Sequence, residues 1–256
     1  MSLPLLTTKF YTPPVGDKQI SRPQLLGKLN DGWEQKASLF LICGPAGYGK
    51  TSIVTEWLGS SQILSYDQYA WLALDRTDDD LTRFLTYFVS AVQRIQPGYG
   101  EGVLRMLKSH KPQPPAVLAT LLINELCAIP RRFLLVLDDY HQLTAQPIQA
   151  FMNFFIEHQP PQMSLVLITR SDPPLPLARL RAKGQLIELR QDDLRFGPAE
   201  VAEYLNQSMD LGLTHAQIDL LAVQTEGWIS GLQLAAISLR EEPDRNSFLR
   251  AFSGEH

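Results

Sequence analysis

Residues 44–51 of this chain read Gly44-Pro45-Ala46-Gly47-Tyr48-Gly49-Lys50-Thr51 and fit the pattern G-x-x-x-x-G-K-[ST] at every fixed position. The apolar run 38–43 precedes them and is typical of a buried parallel strand, and residues 52–58 can continue as a helix. A strand, a glycine loop and a helix in this order are the context in which the pattern forms a phosphate-binding loop. The sequence therefore predicts a chain that binds a nucleoside polyphosphate.

The residue types of this loop suit the binding of phosphate. Gly47 and Gly49 allow backbone angles that larger residues avoid, so the chain can turn its N–H groups inward at the positive end of a helix. Lys50 is expected to reach the terminal phosphates, and the Thr51 hydroxyl is expected to ligate Mg²⁺. The nucleotide-binding residues predicted from this stretch are Gly44, Pro45, Ala46, Gly47, Tyr48, Gly49, Lys50, Thr51 and Ser52.

The composition is that of an ordinary globular protein, with 256 residues, 45% of them hydrophobic and 20% charged. The net charge is −4 and no cluster of Lys and Arg occurs, so nucleic-acid binding by this stretch is unsupported. Because the sequence has neither a membrane-spanning apolar run nor a signal-peptide pattern, we expect a cytoplasmic protein without membrane contact. Cys43 and Cys127 are isolated and predict neither a metal site nor a disulfide.

Apolar runs that alternate with helical segments predict an α/β fold with a five-stranded parallel sheet. The strands are expected at about 38–43, 69–74, 133–137, 164–170 and 185–189, in the spatial order 5-1-4-3-2. The stretch 99–115 is expected to be irregular. Near the N-terminus, Ser21 is expected to cap a helix, with Gln24 completing a capping box.

The strand signals stop after about residue 192, and Gly197 and Thr214 then begin helices. We therefore expect a nucleotide-binding core with an N-terminal arm over residues 1–192 and a small helical lid subdomain over 193–256. The chain ends in the polar residues 253–256 without a closing element, which suggests that it is part of a longer protein.

A second motif follows the third predicted strand, where Asp138 and Asp139 come directly after an apolar run. The carboxyl end of a strand is the edge at which ligands bind in such sheets. Asp138 is expected to hold Mg²⁺, and Asp139 to orient or deprotonate the attacking water. Arg170 ends the fourth predicted strand and is expected to sense the γ-phosphate, with the Thr169 hydroxyl bonding the same water.

The nucleotide predicted at this site is ATP or ADP. Residues 169–172 faintly resemble the guanine-specifying motif [NT]-K-x-D, but Arg170 stands where that motif has Lys. A GTPase also usually carries D-x-x-G after its Mg²⁺ strand, and neither Asp138 nor Asp139 is followed by glycine at that spacing. Adenine is therefore favoured over guanine.

Taken together, these motifs resemble the N-terminal ATPase domain of the large LuxR-type transcription activators of the maltose-regulon kind, which belong to the signal-transduction ATPases with numerous domains. The resemblance covers nearly the whole chain. The stretches that carry it are Arg22-Pro23-Gln24-Leu25-Leu26, residues 44–51, Trp71-Leu72-Ala73-Leu74-Asp75, Leu137-Asp138-Asp139-Tyr140-His141, Ile168-Thr169-Arg170 and Gly227-Trp228 with Gly231-Leu232.

This resemblance implies a molecular switch that rests as an ADP-bound monomer and self-associates when ATP and an inducer bind. It also implies a helical-repeat sensor and a C-terminal helix-turn-helix domain outside these residues, so that DNA is bound only through sequence absent here. On this chain it implies that Ile20 and Arg22 touch the adenine and that the helix at 227–231 closes over the nucleotide. Ile229 departs from the family, in which many members carry Pro at that position.

Three functions therefore stay open at this point. The first is a slow, switch-like ATPase, which the pair Asp138-Asp139 and the helical lid favour. The second is a small-molecule phosphotransferase, for which Arg179 and Arg181 would supply an acceptor site. The third is a module that binds ADP without hydrolysing ATP.

Overall fold

The computed structural model describes residues 4–16, 18–60, 68–109 and 113–241. Five parallel strands form one sheet, and they are β1 (Leu39–Cys43), β2 (Tyr69–Ala73), β3 (Phe133–Asp138), β4 (Met163–Thr169) and β5 (Leu186–Leu189). Their spatial order is β2-β3-β4-β1-β5. This is the predicted order 5-1-4-3-2 taken from the other edge, so the predicted sheet is confirmed.

Eleven α-helices lie within the described residues. They are α1 (Pro23–Glu34), α2 (Lys50–Ser60), α3 (Leu81–Val92), α4 (Glu101–Lys108), α5 (Pro115–Leu126), α6 (Gln146–His158), α7 (Leu177–Ala182), α8 (Gln191–Leu194), α9 (Pro198–Glu203), α10 (His215–Thr225) and α11 (Ile229–Glu241). None of the helices in these ranges has the length and apolar character needed to cross a bilayer.

The continuous apolar runs of the central strands are explained by burial on both faces of the sheet. Side chains alternate between the two faces. Leu41, Leu135 and Leu167 lie in one hydrophobic cluster together with residues of α3, α5 and α6. Ile42 and Val136 lie in a second cluster with residues of α1 and α2. The molecule therefore has three layers, and α2 leaves the sheet directly after the glycine loop.

A third hydrophobic cluster lies in the segment after β5. It contains Phe196, Val201, Leu205, Leu221 and Leu232, and it also includes Ile20 of the N-terminal arm. The helices that follow β5 thus pack around a core of their own and against the arm. In the predicted lid, residues 242–256 lie outside the described residues, and the boundary at 192 stays a prediction.

Two local predictions were wrong. The residue that precedes α1 is Arg22, and no side chain caps that helix; the Ser21 hydroxyl instead donates to Glu56 Oε1 at 2.6 Å. The stretch 99–115 is not irregular throughout, because it contains α4. This helix begins after Gly100, whose φ is 69° and whose N–H donates to Glu125 Oε2 at 2.6 Å. In both cases a contact distant in sequence decided the local structure.

The predicted capping of α10 by Thr214 is confirmed. Its hydroxyl accepts a hydrogen bond from the Gln217 N–H, and the Thr214 N–H donates to Gln217 Oε1 at 2.9 Å. The two reciprocal bonds satisfy backbone donors that the first turn of a helix cannot pair internally.

Candidate functional site

The glycine loop lies between the end of β1 and the start of α2. Gly47 and Gly49 have φ angles of 79° and 71°, in a region that residues with a Cβ rarely adopt. Lys50 is the first residue of α2, so the positive end of the helix dipole lies at the loop. This is the local geometry that favours a bound anion.

Lys50 is 8% exposed and its Nζ donates to the carbonyl of Pro45 at 2.7 Å. Burial, together with the positive charge of Arg170, lowers the pKa of the lysine. A buried cation is stabilised by an anion placed against it. The loop therefore holds a positive charge that a phosphate group would complement.

Thr51 and Asp138 meet at the junction of α2 and β3. The Thr51 hydroxyl lies 3.3 Å from both carboxylate oxygens of Asp138, which is 7% exposed. Burial, followed by the nearby charge of Asp139, raises the pKa of Asp138 to about 6. A hydroxyl and a carboxylate whose charge needs compensation are donors that Mg²⁺ accepts, so these two residues fit the predicted metal.

Asp139 adopts a left-handed conformation, with φ 56° and ψ 38°. It precedes the 3-10 turn Tyr140–Gln142, and its N–H donates to Asp138 Oδ1 at 2.9 Å. Its side chain is 50% exposed, in contrast to the buried Asp138. The sharp turn thus places one carboxylate inside, beside Thr51, and the next carboxylate at the open edge of the sheet.

Arg170 follows β4 directly and is exposed at the same edge. It lies near enough to Lys50 and His141 for its charge to help lower the pKa values of both. The Thr169 hydroxyl, by contrast, donates to the carbonyl of Ser171 at 2.8 Å. It serves the turn after β4, so the expectation that it bonds the attacking water finds no support in this geometry.

A cavity of about 200 Å³ lies beside the loop, between the N-terminal arm, α2 and the segment after β5. Its lining includes Ile20, Arg22, Tyr48, Phe196 and Ile229. The structure therefore brings the two arm residues predicted to touch adenine next to the glycine loop. Apolar side chains form much of the wall, as is common where proteins bind small molecules.

Arg22 joins the arm to the helices after β5. Its Nε donates to Glu200 Oε1 at 2.7 Å, and its terminal nitrogens donate to the carbonyls of Leu194 and Arg195 at 2.8 and 2.9 Å. Its hydrogen-bond donors are thus engaged within the protein, while the residue still lines the cavity. A contact between Arg22 and adenine stays a prediction.

The start of α11 lies directly on the loop. Trp228 Nε1 donates to the carbonyl of Ala46 at 2.9 Å, and the Ser230 N–H donates to the carbonyl of Gly47 at 3.0 Å. In a trans peptide the C=O and N–H point in opposite directions. These two bonds therefore turn the N–H groups of Gly47 and Tyr48 away from α11. In that direction they could donate hydrogen bonds to an anion held in the loop.

Sequence reasoning missed Glu56 as part of this site. Its carboxylate accepts hydrogen bonds from Gln19 Nε2 at 2.9 Å and from the Ser21 hydroxyl at 2.6 Å, and all three hold the arm against α2. No motif marks Glu56, since it is one polar residue in a helix. Ser230 was also missed, although the stretch 227–231 had been indicated by resemblance.

The sheet order, the glycine loop after β1 and the carboxylates after β3 together define the P-loop NTPase fold. Among solved structures, the Walker-type ATPase paby2304 of Pyrococcus abyssi matches with a TM-score of 0.58 at 13% identity, over 91% of this chain and 71% of that one. PCH-2 of C. elegans matches with a TM-score of 0.51 at 9% identity, over 91% and 66%. Likenesses at such low identity show the fold alone.

In sequence the chain is similar to proteins named HTH-type transcriptional regulator MalT. Those of Cronobacter sakazakii, Yersinia enterocolitica and Yersinia pestis are each 32% identical to it over 237 residues. The match covers 93% of this chain and 26% of each relative, so the chain spans about a quarter of their length. No protein-family model matches the chain. The resemblance inferred from the motifs is confirmed.

We expect Asp138→Asn to stabilise the protein at pH 7.5 in the absence of nucleotide and metal. The pKa of Asp138 is raised to about 6 from 3.8, so its ionised form opposes folding above pH 6. A shift of about two units corresponds to a gain of at most roughly 3 kcal/mol. Below about pH 4 both folded and unfolded states bind the proton, and the difference should vanish.

Denaturant unfolding at pH 7.5 and pH 4 measures this difference. Asp31→Asn is a matched control because Asp31 is exposed on α1 and is not among the residues that line the cavity beside the loop. A variant at position 138 that is no more stable than the parent at pH 7.5 would show that the charge of Asp138 is well tolerated.

Proposed function

We propose that this chain is the nucleotide-binding switch domain of a signal-responsive transcriptional regulator, in which slow Mg²⁺-dependent hydrolysis of ATP to ADP controls self-association. The observation that carries the proposal is the contact of α11 with the glycine loop through Ala46 and Gly47. Hydrogen bonds join the start of α11 to the loop that would hold the phosphates. A change in the bound nucleotide would therefore alter the contacts of this helix directly.

The chain's own groups divide the work at the phosphates. The loop amides and Lys50 would bind the phosphate oxygens, and Thr51 and Asp138 would hold Mg²⁺. The metal, when bound, supplies positive charge that offsets the charge of the phosphates. Asp139, at the open edge, would orient the attacking water and accept its proton, as a general base does. Arg170 would meet the γ-phosphate, which only ATP carries.

The cavity beside the loop supports the binding of a nucleoside. Ile20, Phe196 and Ile229 offer apolar surface for a base, and Gly49 of the loop also lines the cavity. The absence of a D-x-x-G spacing after β3 disfavours a GTPase. We therefore propose ATP and ADP as the ligands of this site.

Self-association and DNA binding belong to the longer protein in this proposal. The relatives are named HTH-type transcriptional regulators, and this chain matches about a quarter of their length. Its net charge is −4 and its sequence has no cluster of Lys and Arg, so DNA binding by this part is unsupported. DNA would thus be bound through sequence outside this chain, and the regulator would act in the cytoplasm.

The phosphotransferase alternative loses its support from the arginines of α7. Arg179 pairs with Glu157, and Arg181 Nε lies 2.8 Å from Glu188 Oε2. Both guanidinium groups thus have carboxylate partners within the fold. An ADP-binding module without turnover differs from the switch only in its kinetics.

Steady-state phosphate release, with and without candidate acceptors, tests the three functions. We expect slow release of phosphate from ATP that needs Mg²⁺ and is not stimulated by an acceptor. The nucleotide that co-purifies with the chain should be ADP or ATP after denaturation and chromatography. Transfer to an acceptor would overturn the proposal in favour of a kinase, and bound ADP without any turnover would favour the binding module.

Arg170→Ala is expected to weaken ATP binding more than ADP binding. The exposed guanidinium at the end of β4 is proposed to contact the γ-phosphate. Because ADP has no γ-phosphate, the affinity for ADP should change little when the guanidinium is removed. A hydrogen bond to a charged group contributes roughly 1.5–3 kcal/mol, which is a 10- to 100-fold loss of affinity for ATP. Calorimetry with both nucleotides measures it, and an equal loss for the two would assign Arg170 a structural role.

ATP is expected to change amide hydrogen exchange in residues 220–240 relative to ADP. A switch needs contacts that differ between its two states, and the start of α11 is bonded to the loop in this structure. Exchange measured by mass spectrometry should differ in this segment and be unchanged in α5, which lies on the other side of the sheet from α2. Identical exchange in both states across 220–240 would argue for a static module.

A further inference from the structure

Tyr204 carries an unpartnered hydroxyl in the wall of the cavity beside the loop. The residue lines that cavity and is only 6% exposed. Its ring packs edge to face against Phe196, with the two ring centroids 5.8 Å apart. The hydroxyl forms no hydrogen bond with any residue that the structure describes. A buried polar group in that condition is uncommon and calls for a partner.

The other polar side chains of this wall are already satisfied. Those that are shielded from solvent have hydrogen-bond partners within the protein, and they are Gln19, Arg22, Tyr48 and Glu56. Those that are exposed can bond to water, and they are Lys18, Ser52 and Gln233. Among the described residues of the wall, Tyr204 is therefore the buried polar group left for a ligand.

The backbone at Tyr204 is also unusual. The residue begins a π-helical turn, Tyr204–Ser208, which follows α9 directly. The Met209 N–H donates to the Tyr204 carbonyl at 2.9 Å and closes this turn. Single π-helical turns are rare and often occur at functional sites. The backbone and the side chain thus give two independent reasons to assign Tyr204 a part in ligand binding.

The surroundings of the hydroxyl indicate which chemical group it would bond. Burial raises the pKa of Tyr204, so the hydroxyl keeps its proton at neutral pH and can donate it. Ile20, Phe196 and Ile229 supply apolar surface in the same cavity, which suits a flat aromatic base. A purine has ring nitrogens that accept hydrogen bonds in the plane of the ring. The hydroxyl therefore matches one of these nitrogens.

We propose that Tyr204 determines base specificity at this site, by donating a hydrogen bond from its hydroxyl to a ring nitrogen of the adenine. This inference rests on the proposed function of the chain in binding ATP and ADP. A base without an acceptor at that position would leave the hydroxyl unpaired and would bind more weakly. The contact would also tie the base to the helices after β5, as the bonds of Trp228 and Ser230 tie the loop to α11.

Calorimetry with ADP and its deaza analogues tests the contact. In 1-deaza-, 3-deaza- and 7-deaza-ADP one ring nitrogen is replaced by C–H. We expect one of these analogues to bind the parent roughly 3- to 10-fold more weakly than ADP does, which is the contribution of one neutral hydrogen bond. Tyr204→Phe should lose the same factor for ADP and should bind ADP and that analogue equally, because both changes remove the same bond. Pyrophosphate, which has no base, should bind the parent and the variant equally.

Thermal unfolding without nucleotide separates this role from a structural one. Tyr204→Phe should be at least as stable as the parent, because the hydroxyl bonds no described residue and phenylalanine leaves no polar group unpaired. Tyr99→Phe is a matched control on the far side of the sheet from α2. The Tyr99 hydroxyl donates to the Leu122 carbonyl at 3.3 Å, so its removal should lower the stability and leave the affinity for ADP unchanged.

The outcomes distinguish this inference from the function on which it rests. Equal affinity of the parent and Tyr204→Phe for ADP would overturn the inference while the proposed nucleotide site stands, as would full affinity of the parent for all the deaza analogues. An equal loss for ADP and pyrophosphate, or a lower stability of Tyr204→Phe without nucleotide, would assign the hydroxyl a structural role instead. A parent chain that binds neither ADP nor ATP would contradict the proposed function itself, and this inference with it.

Discussion

Lys50→Ala is expected to weaken the binding of both ADP and ATP by roughly 30-fold or more. Removing one partner of a buried charge pair typically costs about 2–5 kcal/mol, and the phosphates of either nucleotide would be that partner. The fold should survive, because burial already lowers the pKa of Lys50 and its side chain donates to the Pro45 carbonyl, a bond within the same loop. A lysine that is 8% exposed without a phosphate is costly to keep charged, and its removal relieves that cost.

Calorimetry with ADP and ATP measures the loss, and thermal unfolding without nucleotide reports on the fold. Lys183→Ala is a suitable control, since Lys183 is exposed after α7. Undiminished affinity in Lys50→Ala would remove the basis for a phosphate site at the loop. A variant that fails to fold would be replaced by Lys50→Met, which keeps the length of the side chain and loses the charge.

The strands and the loop could be predicted because their signals are local. β1, β3 and β4 are buried along their whole length, and a continuous apolar run is what such burial requires. The fixed positions of the glycine loop leave few alternatives. The two acids after β3 were placed correctly at the sheet edge, although the sequence could not tell that Asp138 is buried and Asp139 half exposed.

The contacts that complete the site could not be predicted, because they join residues distant in sequence. Arg22 bonds Glu200 and carbonyls after β5, which lie more than 170 positions along the chain. The bond between Trp228 and Ala46 spans 182 positions. The burial of Lys50 also could not be predicted from its place beside the glycine loop. In each case a neighbour supplied by the fold decides the environment.

The conformation of the loop depends on the helix that lies on it. A Cβ at Gly47 would come within 2.5 Å of Ser230 Oγ and 2.6 Å of Trp228 Nε1, so no larger residue fits while α11 is in place. The same contact orients the peptide N–H groups of the loop. The glycine pattern that marks a phosphate site in sequence therefore also reflects close packing by the helices proposed to move with the nucleotide.

Asp139→Asn is expected to slow ATP hydrolysis by about 10²- to 10⁴-fold, the usual contribution of a general base. An amide keeps the shape of the side chain and cannot accept the proton of water. Asparagine also tolerates the left-handed backbone at this position, where φ is 56°, better than most residues do. The substitution thus separates the loss of the base from backbone strain, which Asp139→Ala would not.

Nucleotide affinity is the internal control for this result. Because Asp138 and Thr51, and not Asp139, are proposed to hold the metal, the Kd of Mg²⁺-ATP should change by less than about 3-fold in Asp139→Asn, whereas Asp138→Asn should weaken it. Single-turnover phosphate release then isolates the chemical step from product release. Hydrolysis at the parent rate in Asp139→Asn would show that another group activates the water.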